Sequence, residues 1–187
     1  MARQREQKSV RIMKPVFLVF CEGETEENYI DLIRRKYKSP IKIVSKTEGD
    51  KISQHLINQR QQELKISKNE KISTFLMYDL DVKEINMKLE SCNAMWLCSN
   101  PCVELWFLLH SKEQTKSLTT AKCITALKKA DDVWKEYHKS TLTDTQKTYL
   151  WTNKSIAVER AKLLNDGSNP SSSVYKLIEA IENKLKK

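Results

Sequence analysis

An α/β fold, with a mainly parallel four-stranded sheet flanked by helices and a helical C-terminal part, is the class this chain predicts. Three observations lead there. The run VFLVFC at residues 16–21 is short, continuously apolar and rich in β-branched and aromatic side chains, as expected of a strand buried on both faces of a parallel sheet. A second run, FLMY at 75–78, has the same character. Around them, stretches with helical spacing alternate with further apolar runs, the pattern of right-handed strand–helix–strand crossovers.

The first strand stops at Glu22 and Gly23, and Thr25 is suited to cap the helix that follows. Asn28 stands where a capping box would have Glu or Gln, while Glu26 and Glu27 suit the first turn. Arg34, Arg35, Lys36 and Lys38 close this helix. A second strand is expected at 41–45 and a helix over about 50–64, with Ile52, Leu56 and Ile57 on one side. A lysine-rich turn leads to the strand at 75–78, and a helical stretch near 85–90 precedes a fourth strand at 94–98. Ser99, Asn100 and Pro101 then cap a helix whose apolar face is Leu105, Trp106, Leu108 and Leu109. From Thr119 onward the pattern is helical, with Ile124, Leu127 and Val133 toward a core and Lys128, Lys129 and Lys135 outside. Tyr137, His138 and Lys139 close that part, and a loop through 141–147 leads to Trp151. Helices follow at about 155–164 and 172–186, separated by a break at Asp166, Gly167, Ser168, Asn169 and Pro170. The last buries Val174, Leu177, Ile178 and Ile181. The expected organisation is a basic arm at 1–13, an α/β core at 14–118 and a helical subdomain at 119–187 packed on it.

At 187 residues, 40 % hydrophobic and 30 % charged, the chain reads as one soluble globular unit, and 3 glycines and 4 prolines leave little room for a flexible linker. It has no apolar stretch of about 18 residues, and its opening MARQREQKSVRIMK lacks the apolar core of a signal peptide, so a cytoplasmic location away from membranes is expected. Cys21, Cys92, Cys98, Cys102 and Cys123 show no CxxC spacing, which argues for buried thiols against a zinc site or disulfide framework; a local cluster of Cys92, Cys98 and Cys102 is the alternative. The absence of Walker, GxGxxG, GxSxG and HExxH motifs disfavours an autonomous ATPase, a dehydrogenase, an α/β hydrolase and a zinc protease.

A net charge of +9 favours a polyanionic partner, nucleic acid first. Arg3, Arg5, Lys8, Arg11 and Lys14 form a basic arm, and Lys184, Lys186 and Lys187 a basic tail. Arg34, Arg35 and Lys36 are the internal candidates for nucleic-acid contact, and equally are cations placed to complement a helix C-terminus.

Glu22, Asp79 and Asp81 fall where two expected strands end. Ligands of open α/β sheets bind beyond the carboxyl ends of the strands, so both acidic groups are expected at one crevice. Hard divalent cations such as Mg2+ or Mn2+ take oxygen ligands from one or two carboxylates, completed by water and phosphate. Without a cation such acids repel, and one is expected to hold a proton. The competing reading makes Glu22 a helix-start acid and the two aspartates turn formers. Glu104, early in a helix opening at the same sheet edge, is either a further metal or catalytic acid or a dipole acid. His110 is a candidate for proton transfer and Lys139 for neutralising phosphate charge. Trp106 and Phe107, flanked by leucines, read as packing residues.

A strand ending in Glu22-Gly23 and a later one ending in Asp79-Leu80-Asp81 resembles the Toprim domain, the metal-binding fold of topoisomerases, primases and overcoming-lysogenization-defect nucleases. The segments SNPCVELWFLLH at 99–110 and NPSSSVYKLIEAI at 169–181 resemble the RloB-like proteins, which are similar to the abortive-infection component AbiL; Tyr137-x-Lys139 also looks like that family. The resemblance runs from about residue 14 to about 181. It implies a Toprim-like Rossmannoid and an Mg2+-dependent nuclease acting on DNA or RNA, transfer RNA included, in bacterial antiphage defence. Glu22, Asp79 and Asp81 would be its metal acids, with Glu104 beside them as a catalytic candidate. Related systems imply a separate ATPase or a phage-derived trigger, and a homo-oligomer is compatible with the sequence. Val82 and Lys83 follow the DxD where many relatives carry a third acid, a place that Glu26 or Glu104 is available to fill. The alternative is a noncatalytic Toprim-like module that binds nucleic acid or a partner protein.

Overall fold

A computed structural model describes residues 15–37, 42–64 and 71–186. The apolar run Val16–Cys21 forms β1, flanked by β2 (Lys42–Thr47) and β3 (Ile72–Met77), with β4 (Met95–Trp96) outside β3. The order β2-β1-β3-β4 is parallel throughout. Register sets Cys21 opposite both Thr47 and Met77, so the strands end level and their carboxyl termini share one edge.

Side chains alternate across β1. Phe17, Val19 and Cys21 enter one apolar layer, and Leu18 and Phe20 enter the other. Helix α1 (Glu24–Tyr37) covers the first with Tyr29, Ile30 and Ile33. Helices α2 (Gln54–Glu63) and α3 (Lys83–Glu90) cover the second with Ile57 and Leu89. Cover on both faces is the physical reason β1 lacks polar alternation.

Beyond β4, the strand β5 (Ser99–Asn100) pairs antiparallel with β6 (Ser171–Ser172), and Asp79 bridges to Ser99. The segment 169–173 is thereby drawn beside the end of β3. Helix α4 (Glu104–Leu109) is wholly buried. The C-terminal helices α5 (Thr120–Lys128), α6 (Asp144–Thr152), α7 (Lys154–Lys162) and α8 (Tyr175–Leu185) contribute Leu127, Leu150, Ala161, Leu177 and Ile181 to the layer that α1 and α4 occupy. Among the described residues no helix is long and apolar enough to cross a membrane.

Several sequence expectations are corrected. Thr25 lies inside α1, which starts at Glu24, because the Glu26 carboxylate accepts the Gly23 N–H at 2.9 Å and sets the start two residues earlier. The expected helix at 50–64 splits into a 3-10 turn, Gly49–Lys51, and α2, capped by Ser53 accepting from the Leu56 N–H. The fourth strand shortens to Met95–Trp96. Helix α4 starts at Glu104, so Asn100 and Pro101 precede it and Asn100 instead donates to the Gly167 carbonyl. On α5 the buried side is Cys123 and Leu127, Ile124 is half-buried, and Val133 sits in a following 3-10 turn, Asp132–Trp134. The expected loop at 141–147 contains the start of α6, closed by a capping box between Thr143 and Gln146. Its T-x-x-Q pattern is a signal the hydrophobic periodicity did not carry. All five cysteines are buried free thiols; Cys92 and Cys98 share one apolar layer whereas Cys102 lies with Cys123 in the other. The basic arm, Lys38, Ile41 and Lys187 lie outside the described residues.

Candidate functional site

Glu22 follows β1 directly and its backbone N–H still pairs with the Met77 carbonyl, so the chain leaves the sheet with the side chain at its carboxyl edge. One Glu22 carboxylate oxygen, Oε2, accepts the backbone N–H of Asp79 at 2.9 Å. Asp79 is fixed on its other side as well: Oδ1 accepts the Val103 N–H at 2.8 Å, just ahead of α4. It thereby supplies the capping role expected of Asn100. Asp81 lies further out, exposed, with Oδ2 accepting from the Thr120 hydroxyl at 3.2 Å.

Glu104 enters from α4 and is completely buried. Its Oε1 accepts the Tyr137 hydroxyl at 2.9 Å and lies 3.7 Å from the Lys139 ammonium, while Oε2 has no hydrogen-bond partner among the described residues. A carboxylate oxygen removed from water without a donor is costly. Glu26, also buried, completes the group from the first turn of α1.

These acids perturb one another. Burial, then the charges of Glu26, Glu22, Glu104 and Asp81, push the Asp79 carboxyl well above its ordinary range. Burial outweighs the Gly23 and Glu26 backbone donors and, with Glu22 and Glu104, lifts Glu26 to about 7. Glu22 is raised by burial and by Asp81, although the Asp79 N–H and Lys139 pull the other way. Lys139 is raised because the attraction of Glu104 and Asp79 exceeds the opposing effect of burial. Convergent carboxylates shifted in this way characterise functional crevices.

The segment carrying Lys139 is strapped to α1. Ser140 takes a left-handed backbone conformation, φ 68°, uncommon for a non-glycine residue. Its N–H donates to the Thr25 hydroxyl at 2.9 Å and its carbonyl accepts from the Asn28 amide at 2.8 Å. Thr25, which the sequence suggested as a cap, and Asn28, which stands where a capping box would have Glu or Gln, hold this strap. Tyr137, known from sequence only as part of a family-like Tyr-x-Lys, contributes the hydroxyl on Glu104.

Glu22, Glu26, Asp79, Asp81, Glu104 and Lys139 are therefore brought together, by mutual electrostatics and by shared hydrogen-bonded neighbours. His110 is not joined to them by any hydrogen bond: its Nδ1 sits 2.8 Å from the Trp106 carbonyl, and its buried Nε2 has no partner among the described residues. Burial holds its pKa down to about 4, so it is a neutral core histidine near pH 7. Arg34, Arg35 and Lys36 occupy the opposite end of α1 from Glu22, with Arg34 2.6 Å from Asp31.

The donor set, oxygen throughout, has the chemistry of a magnesium or manganese site, and the orphaned Glu104 oxygen supplies an unmet demand for positive charge. Among the described residues no three His, Cys, Asp or Glu side chains are already grouped to hold a metal ion. A family model described as RloB-like protein matches residues 17–181. No curated protein and no solved structure matches the chain.

Proposed function

For a chain that belongs to the RloB-like family, we propose a metal-dependent nuclease with a Toprim-like acid centre, hydrolysing phosphodiester bonds of DNA or RNA, transfer RNA included, in bacterial antiphage defence. The observation that carries this reading is the buried, unpartnered Glu104 Oε2 in a crevice crowded by Glu22, Glu26, Asp79 and Asp81. Excess buried negative charge at the carboxyl edge of a parallel sheet is suited to a divalent cation and a phosphate ligand.

Glu22, Asp79 and Asp81 would hold Mg2+ or Mn2+, with Glu104 or Glu26 as a further acid. When bound, the cation supplies Lewis acidity toward the phosphodiester and lowers the pKa of water. In the alternative arrangement Glu22, whose proton affinity burial raises, would serve as the general base for attacking water and not as a metal ligand. Lys139, tethered through Ser140, brings a positive charge against the charge that develops on phosphate. Tyr137 fixes the Glu104 carboxylate by its hydroxyl. A separate ATPase or phage-derived trigger and self-association belong to the same proposal.

A second reading is favoured by Val82 and Lys83, which stand where a third acid would follow the DxD: a noncatalytic module binding nucleic acid or a partner protein. Calorimetric titration of Mn2+, then Mg2+, into the protein and into an Asp79→Asn/Asp81→Asn variant separates the two. Micromolar Mn2+ binding lost in the variant supports the nuclease centre. Binding absent from both, together with phage defence unaffected by Glu22→Gln, would leave the noncatalytic module.

A further inference from the structure

Asn28, Asp31, Leu32, Arg35 and Lys36 recur at spacings of three and four along α1 and so form one stripe of that helix. Asp144 and Lys147 of α6 face the stripe, and together they enclose an open cavity of about 610 Å³. Clefts of that size commonly hold ligands.

Asn28 links the cavity to the segment that carries Lys139. From Glu24, beside Glu22, the helix runs to Lys36 over roughly 18 Å at about 1.5 Å per residue. Asn28 lines the cavity and also donates to the Ser140 carbonyl at 2.8 Å. The neighbouring residue, Lys139, sets its ammonium 3.7 Å from Glu104.

The cavity's cations are loosely engaged. Asp31 is taken by Arg34 at 2.6 Å, which leaves Arg35 at 3.9 Å, and Lys147 is 4.0 Å from Asp144. Lys36 rests 5.7 Å from the centre of the Trp151 ring. An incoming phosphate can recruit all three cations without breaking a close ion pair, and Leu32 offers an apolar wall to sugar or base.

We propose that this cavity is a subsite for the backbone of a polynucleotide strand whose adjoining phosphodiester is presented to the acid centre; the assignment of substrate rests on the nuclease reading above. The test is fluorescence anisotropy of a short single-stranded RNA, and of the matching DNA, on the full chain without divalent metal. Arg35→Gln/Lys147→Gln should weaken binding about tenfold or more and lower the salt slope by about 0.7 for each phosphate no longer neutralised. The control pair Lys128→Gln/Lys129→Gln removes the same charge from α5, away from the cavity, and should change affinity less than about twofold, as uniform charge effects are screened. Equal weakening by the control pair, unchanged affinity in the cavity pair, or no binding of either strand by the wild type overturns the subsite.

Mn2+ titration of the same proteins keeps this failure distinct from failure of the nuclease reading. Intact Mn2+ binding with oligonucleotide affinity lost in the cavity pair supports the subsite. A wild type that binds oligonucleotide through the cavity but takes up no Mn2+ leaves the subsite standing and removes the metal centre.

Discussion

The Glu22 carboxylate accepts the backbone N–H of Asp79 at 2.9 Å, so the acid ending one strand is oriented by the chain at the end of its neighbour. Two acids distant in sequence are thereby locked in one arrangement before any ligand arrives, and each substitution at Glu22 has both a structural and a charge component.

Glu22→Gln retains an amide oxygen able to accept that N–H but loses the charge. Its melting temperature should stay within a few degrees of wild type while Mn2+ affinity falls at least about tenfold. Glu22→Ala loses the acceptor too and should cost a further ~1 kcal/mol of stability. Calorimetry and thermal melts on the pair separate the components; equal stability of the two variants would show the hydrogen bond to be dispensable.

Tyr137→Phe deletes the hydroxyl that donates to Glu104 Oε1, leaving a wholly buried carboxylate with Lys139 at 3.7 Å and one oxygen already unpartnered. Loss of a donor to a buried acid should destabilise the protein by about 1–3 kcal/mol in urea unfolding. The double variant Tyr137→Phe/Glu104→Gln should cost less than the sum of the single changes, because the charge that needed the donor is gone.

The end of β1, the end of β3 and the acids following them were legible because a strand buried on both faces has an unmistakable apolar run and its termination is abrupt. What sequence could not supply was the partner of each acid. The link from Asp79 to Val103 spans 24 residues and that from Tyr137 to Glu104 spans 33, and neither leaves a periodic trace. The Ser140 strap is less legible still, since it joins residues more than a hundred apart and uses a conformation serine rarely adopts. His110 shows the opposite case: a histidine at a helix end suggested chemistry, and burial among apolar residues makes it part of the core.

Divalent-metal affinity should rise with pH. Asp79 and Glu22 hold protons more tightly than ordinary carboxylates, and Glu26 is lifted to about 7, so a cation that displaces protons from these acids binds more tightly as pH rises. For each proton displaced, apparent Mn2+ affinity should increase about tenfold per pH unit below the pKa of the acid that releases it, which for Glu26 is about 7. In the metal-free protein the same raised values mean that each acid's contribution to stability is present at low pH and is lost as pH rises from the ordinary carboxylate range through its folded value, about 7 for Glu26. Saturating Mn2+ should restore more melting temperature at pH 8 than at pH 5.5. A pH-independent affinity would remove the buried acids from the binding site.

His110 imposes the reverse dependence. Its pKa is held at about 4 by burial, with the Arg160 charge acting in the same direction against the opposing Trp106 carbonyl, whereas the unfolded chain protonates near 6.5. Between those values the unfolded state binds the extra proton, so the stability owed to neutral His110 is full above about 6.5 and is lost as pH falls toward about 4. A shift of this size corresponds to about 3 kcal/mol. The acids oppose it over part of the range, which makes the wild-type profile alone ambiguous. The difference between wild type and His110→Leu cancels the shared acid contribution: the variant should gain on wild type by up to ~3 kcal/mol between pH 7 and pH 4. Urea titrations across that range read the difference directly, and a constant offset would mean that His110 takes up its proton as readily in the fold as in the unfolded chain.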